Sequence, residues 1–264
     1  MTNNAIDIRN LNKRYDPRAG QQTNDAIPFV LQDVNLSIPK GEFHILLGKS
    51  GCGKSSLLNI IAGFLKKTSG SVQVNSREVV KPGPDRGVVF QNADAAIFPW
   101  LNVWRNVEYG MRMQKVDRDR RQQVVNDCIQ IVGLNGHEKK FPGELSGGMK
   151  QRVQIARSIA NNSEILIMDE PFGALDAQSR AVMQNELINI WMSTGKTILF
   201  VTHDIQEAIL LGQKISLFST AASASIRETI LVDLPYRRNM SDPKARSIEK
   251  AILSYFDTDE YFII

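Results

Sequence analysis

The chain is 264 residues long, 42% hydrophobic and 23% charged, an ordinary globular balance with enough length for one large domain or two lobes. Its net charge of +4 is modest, and Arg118, Arg120 and Arg121 alternate with Asp117 and Asp119, which describes a solvated helix face rather than a nucleic-acid patch. Cys52 and Cys128 are the only cysteines, the start MTNNAIDIRN has no signal-peptide pattern, and no run reaches the ~20 apolar residues of a bilayer span, so a reduced, cytosolic chain is expected.

In chain order, Ile6 and Ile8 alternate with Asp7 and Arg9 in a first strand, and 16–28 is polar and aperiodic, a loop. Val30 to Ile38 alternates again and turns at Pro39-Lys40-Gly41, giving an antiparallel β layer ahead of the apolar run Phe43 to Leu47. A glycine-rich stretch, Gly48 to Ser56, follows, and then a helix on which Leu57, Ile61 and Leu65 share a face. Short strands are expected at Ser71 to Asn75 and at Arg86 to Gln91. From 92 to 143 the pattern turns helical, with Pro99 and Gly110 as breaks and a stripe of Val124, Cys128, Ile131 and Val132. A helix over Gly147 to Asn161 sets Met149, Val153, Ala156 and Ala160 on one face, and Glu164 to Glu170 reads as a buried strand. A helix at Ala177 to Thr194, strands at Thr197 to Thr202 and Lys214 to Ser219, an edge strand at Thr229 to Leu234 and a helix at Pro243 to Phe256 complete the chain. Strands alternating with helices imply an α/β fold on a mostly parallel sheet.

The chemistry is concentrated in few places. Gly48-Lys49-Ser50-Gly51-Cys52-Gly53-Lys54-Ser55, with Ser56 after it, satisfies G-x-x-x-x-G-K-[ST] between a strand and a helix. Glycines there let successive N–H groups face phosphate oxygens, and the helix start adds its dipole. Lys54 would reach the β- and γ-phosphates, and the Ser55 hydroxyl would ligate Mg²⁺. The run Ile165-Leu166-Ile167-Met168 delivers Asp169 and Glu170: Asp169 suits Mg²⁺, and Glu170 suits the general base that polarises water. Ser146-Gly147-Gly148 opens a helix as a second anion-binding end, or as a plain cap. A nucleotide with Mg²⁺ is the implied ligand.

Leu145 to Arg152, LSGGMKQR, resembles the signature of the ATP-binding cassette ATPases. The resemblance covers roughly residues 5–235. It implies a P-loop NTPase core with an N-terminal antiparallel β layer and an inserted helical subdomain at 92–143. The remaining core would be 1–91 and 144–240, with 241–264 a terminal helix and tail, all in one domain. It further implies that Ser146, Gly147 and Gly148 meet the γ-phosphate held by the opposite subunit of a head-to-tail dimer. Gln91 would link Mg²⁺ and water to partner contacts, His203 would contact the γ-phosphate, Tyr15 would stack on adenine, and Gly173 to Asp176 would cross the dimer interface. GPDRGVVFQ, FPWLNVWRNVEYG and DEPFGALDA are similar to ATPase subunits of bacterial importers for nitrate, sulfonates, taurine and related small anions. Lys49 and Ser56 stand where proline and threonine are commoner in that group.

The resemblance thus implies an ATP-hydrolysing subunit, peripheral on the cytoplasmic side of the inner membrane. Its partners would be a second cassette, identical or a paralogue, and permease subunits, with a solute-binding protein acting indirectly; no nucleic acid is expected. The stretch Phe98 to Trp104 would be either helical-lobe core or a groove for a permease helix. Rival readings are a soluble cassette ATPase acting on ribosomes or DNA, and a P-loop small-molecule kinase. A single phosphate loop without sustained heptads speaks against the first, and a kinase has no use for the LSGGMKQR helix.

Overall fold

A computed structural model of the chain describes residues 4–15, 28–219 and 224–260. Most of the polar loop expected at 16–28 lies outside them. The chain divides into two compact units, Met1–Gly83 with Thr197–Ile264, and Pro84–Lys196. Those limits differ from the expected boundaries at 91/92 and 143/144, because strands and helices flanking the helical stretch pack with it.

In the first unit, β1 (Asn4–Lys13), β2 (Leu31–Pro39), β4 (Ser69–Val74) and β5 (Arg77–Glu78) form an antiparallel sheet in the order β2-β1-β4-β5. Leu31, Val34, Leu36 and Ile38 point inward along β2 while their neighbours face outward, the alternation of a sheet covered on one side. The unit's other strands are β3 (Phe43–Leu47), β8 (Thr197–Thr202), β9 (Lys214–Phe218) and β10 (Ile226–Leu231). β3 lies between β8 and β9, parallel to both, and β10 adds antiparallel to β9. Every residue of β3 and β8 is buried, as expected of parallel strands covered on both faces. The edge strand sits three residues earlier than the expected Thr229 start, because its pairing with β9 begins at Ile226 opposite Phe218.

α1 (Lys54–Ala62) is shorter than the spacing of Leu57, Ile61 and Leu65 suggests. Gly63 takes a left-handed conformation and closes the helix onto Asn59 and Ile60 carbonyls, so Leu65 lies beyond it. α7 (Ile205–Leu211) packs on α8 (Pro243–Glu260), which runs past the expected end at Phe256. A buried polar chain crosses this unit. His44 Nδ1 meets Glu42 Oε1 at 2.7 Å, His44 Nε2 meets Ser216 Oγ at 2.8 Å, and Lys214 Nζ reaches Glu42 Oε2 at 2.8 Å.

In the second unit, β6 (Arg86–Val89) and β7 (Ile165–Asp169) are parallel neighbours. Its helices are α2 (Ala93–Ala96), α3 (Val103–Met113), α4 (Arg118–Ile131), α5 (Gly147–Ala160) and α6 (Ala177–Thr194). α3, α4 and α5 pack on one another, and Arg121 of α4 binds Glu108 of α3 at 2.6 Å. Gly110, expected to break a helix, lies inside α3 instead. A Cβ there would come within 1.8 Å of Asn161 Oδ1, so the glycine serves close approach rather than a turn. The buried stripe of α4 is Val125, Cys128, Ile129 and Val132, an i, i+3, i+4, i+7 set; Val124 and Ile131 flank it half-buried. α5 is covered more broadly than its expected face, for Gln151, Gln154 and Ser158 are buried with Val153, Ala156 and Ala160, while Met149 is half-buried.

Candidate active site

The phosphate loop leaves β3 at Leu47 and enters α1 at Lys54. Gly53 caps α1 at φ 97°, pressed between Leu31, the Val30 carbonyl and Ala224, a position that only glycine takes without strain. It supplies no side-chain cap, which leaves the first N–H groups of α1 available to an anion. Lys49, Ser50, Gly51 and Ser55 are exposed, whereas Gly48 is buried and Cys52 and Ser56 are half-buried. Lys54 is 4% exposed, and its Nζ donates to the carbonyls of Gly48 at 2.6 Å and Lys49 at 2.7 Å. The lysine is therefore folded under the loop, its donors satisfied by the loop's own backbone.

Tyr15, two residues beyond β1, shares a hydrogen bond of 2.9 Å between its hydroxyl and Ser56 Oγ. Lys13 Nζ lies 4.9 Å from its ring centroid, and the residue remains 46% exposed. The structure thus brings Tyr15 to the start of α1, beside the phosphate loop. His203 is exposed just after β8. Asp204 beside it caps α7 by accepting from the Glu207 N–H at 3.0 Å, and its own N–H donates to Thr202 Oγ1 at 3.0 Å.

In the second unit, Asp169 ends β7 and Glu170 follows at φ 44°, left-handed backbone that costs a non-glycine residue roughly 1 kcal/mol or more. Gln91 Nε2 donates to Glu170 Oε2 at 3.2 Å, so residues far apart in sequence meet. Ser146 Oγ caps α5 by accepting from the Met149 N–H at 3.3 Å. The same serine is exposed and borders a cleft of about 460 Å³, so the plain cap and an open anion-binding end coexist. Across that cleft run Ala174, Leu175 and Asp176. Gly148 admits this loop, since a Cβ there would meet Leu175 Cδ2 at 2.9 Å. Asp176 caps α6 through Ser179 N–H at 2.9 Å, and hydrogen bonds from that turn hold its carboxyl below the usual range.

The sequence pattern of the ABC transporter family matches residues 31–173, more than half of the chain. This chain is a member of that family. The taurine import ATP-binding protein of Pelagibacter ubique is 41% identical over 242 residues, 92% of this chain and 88% of that one. The bicarbonate transport ATP-binding protein of Synechocystis is 40% identical over 257 residues, 95% and 88% of the two chains. A solved ATP-binding cassette, dimeric in a post-hydrolysis state with ADP and Pi, superposes with a TM-score of 0.75 at 29% identity, over 87% of this chain and all of its own. Family membership makes the chain an ATP-binding ATPase.

For an ABC ATPase, the arrangement fits a nucleoside triphosphate on observations of its own. The start of α1 has no side-chain cap, and a long cation lies directly beneath the loop. Among the described residues no three His, Cys, Asp or Glu side chains gather as a metal cage. Ser55 is exposed at the start of α1 and Asp169 ends β7, oxygen donors of the kind Mg²⁺ takes together with a substrate's phosphates. Residue patterns left Gln154 without a role, although it is wholly buried. Its signal was a polar residue within a helix face of small and apolar residues.

Proposed function

We propose that this ATPase energises a membrane permease that imports a small solute carrying an oxyanion group, such as a sulfonate, taurine, nitrate or bicarbonate. Support for import comes from the relatives named for taurine and bicarbonate transport. Among the described residues no helix is long and apolar enough to cross a membrane, so the passage itself belongs to partner subunits. The chain would sit peripherally on the cytoplasmic face, paired with a second cassette.

The observation that carries the mechanism is the Gln91–Glu170 hydrogen bond. Glu170 takes the proton from an attacking water, and Gln91 holds its carboxylate in place. Lys54 exchanges the Gly48 and Lys49 carbonyls for β- and γ-phosphate oxygens. The loop N–H groups from Gly48 to Ser56 cradle those oxygens, and Tyr15 stacks on adenine. Mg²⁺, held by Ser55, Asp169 and Gln91, would supply charge neutralisation for the triphosphate when bound. Ser146, Gly147 and Gly148 contribute their helix end to the γ-phosphate bound by the opposite subunit, and His203 orients it. Closure around ATP and reopening after hydrolysis supply the stroke.

Phe98-Pro99-Trp100-Leu101 is the permease surface. Asn106, fully buried, accepts from the Phe98 N–H at 2.9 Å and donates to the carbonyls of Phe98 at 3.1 Å and Leu101 at 2.8 Å. This clasp holds a turn that leaves Trp100 69% exposed, with its ring 5.5 Å from that of Phe98. Exposed aromatic anchors of this kind dominate many protein interfaces. Purification in mild detergent from the native cell, followed by uptake assays in vesicles, tests the reading. Recovery of a polytopic membrane protein and ATP-dependent uptake of an oxyanion solute support it; co-purification with ribosomes or DNA contradicts it.

A further inference from the structure

We infer that Gln154, assisted by Gln151, is a positioning residue that sets Gln91 against Glu170 by clamping the preceding peptide to the signature helix α5. The inference rests on the reading of Gln91 and Glu170 given above and adds the element that holds them.

β6 ends at Val89, one residue before Phe90. The Phe90 N–H donates to Gln154 Oε1 at 2.8 Å, and Gln154 Nε2 donates back to the Phe90 carbonyl at 2.9 Å. Gln151 Nε2 donates to the same carbonyl at 3.2 Å. The side-chain amide of Gln154 thus pairs with Phe90 as a neighbouring strand's peptide would. Gln154 and Gln151 are 0% and 1% exposed. Buried polar groups must be bonded, and here the Gln154 amide satisfies both backbone groups of Phe90 while its own oxygen and nitrogen are satisfied in return. What the amides add is orientation: with both backbone groups of Phe90 fixed, the direction in which Gln91 departs is fixed too.

The rest of the segment is joined to the same helix. Ser158 Oγ donates to the Val88 carbonyl at 3.3 Å, and Lys150 Nζ pairs with Asp94 Oδ1 at 2.5 Å. The Arg157 guanidinium lies 5.3 Å from the Phe98 ring centroid. From Val88 to Phe98, then, the chain is held to α5 along successive turns. A helix whose first residue follows Ser146 and whose flank grips Phe90 carries a displacement at its N-terminus directly to Gln91.

The test is a double-mutant cycle between Gln154→Met and Gln91→Ala, with ATP affinity, kcat, amide hydrogen exchange and melting temperature measured on the full chain. Gln154→Met is expected to lower kcat about tenfold with ATP affinity within about twofold, and in the Gln91→Ala background to lower it by less than about twofold. In the nucleotide-free protein, hydrogen exchange at Phe90 and Gln91 should rise. Gln154→Glu, which keeps the acceptor for the Phe90 N–H, should fall between. If Gln154→Met does not fold, Gln151→Met carries the same cycle through the second bond. Independent, multiplying losses in kcat, or unchanged exchange at Phe90, overturn the inference while leaving the catalytic reading intact. Normal turnover by Gln91→Ala overturns that reading and the inference with it.

Discussion

Tyr15 is tied at its hydroxyl to Ser56 and covered on one side by Lys13, yet nearly half exposed. On the proposed reading this ring is the platform for adenine. Base–aromatic stacking is worth about 1–3 kcal/mol by alanine substitution. Tyr15→Ala should therefore weaken ATP binding by roughly five- to hundredfold while leaving tripolyphosphate, which has no base, unaffected; calorimetric titration of both ligands distinguishes the two effects. Gly110 offers a second check at this scale. Its missing Cβ accommodates Asn161, so Gly110→Ala should destabilise the protein by about 1–3 kcal/mol through overpacking, against the usual gain from replacing a mid-helix glycine. Equilibrium unfolding reads the sign directly.

At the scale of elements, β3 joins the Glu42–His44–Ser216 chain to the phosphate loop. Burial pushes the Glu42 carboxyl up, but hydrogen bonds from His44 and Lys214 outweigh it and hold the group below its ordinary 4.5. A carboxylate with a lowered folded pKa stabilises the fold above its unfolded value, and that stabilisation is lost as pH falls through the folded one. From about pH 5 downward, as pH falls past 4.5 towards the lowered folded value, the unfolding midpoint of the wild type should thus fall more steeply than that of Glu42→Gln. Strand and helix types were legible in the sequence because β3 and β7 are continuous apolar runs and α5 follows a capping serine. Details that depend on a distant neighbour were not. Gly110 resembles a break until Asn161 is placed beside it, and the α4 stripe keeps Cys128 and Val132 but takes Val125 and Ile129 in place of Val124 and Ile131, because α3 and α5 choose the face. The places of the phosphate loop between β3 and α1 and of Asp169 at the end of β7 were readable because their pattern lies in local spacing. The Gln91–Glu170 and Tyr15–Ser56 bonds join residues remote in sequence, so no local pattern reveals them. The aromatic turn was legible as a pair of alternatives, core or surface, and Asn106 decides for display of Trp100. Trp100→Glu should leave basal hydrolysis and melting temperature unchanged and reduce permease co-purification and transport by about tenfold or more.

At the scale of the whole molecule, the central claim is that one chain supplies both halves of a composite catalytic arrangement, a phosphate loop for its own ATP and a Ser146 helix end for its partner's. An isolated subunit would then bind ATP but complete catalysis only when paired. Glu170→Gln isolates this claim, because the amide keeps the size and hydrogen bonding of the side chain and removes the base. Light scattering of Glu170→Gln with and without MgATP, alongside ATP binding and turnover on the same samples, is the decisive measurement. The expected result is retained ATP binding, turnover reduced by about a hundredfold or more, and a dimer that appears only with MgATP. A monomer at all nucleotide concentrations that hydrolyses ATP at the wild-type rate would contradict it.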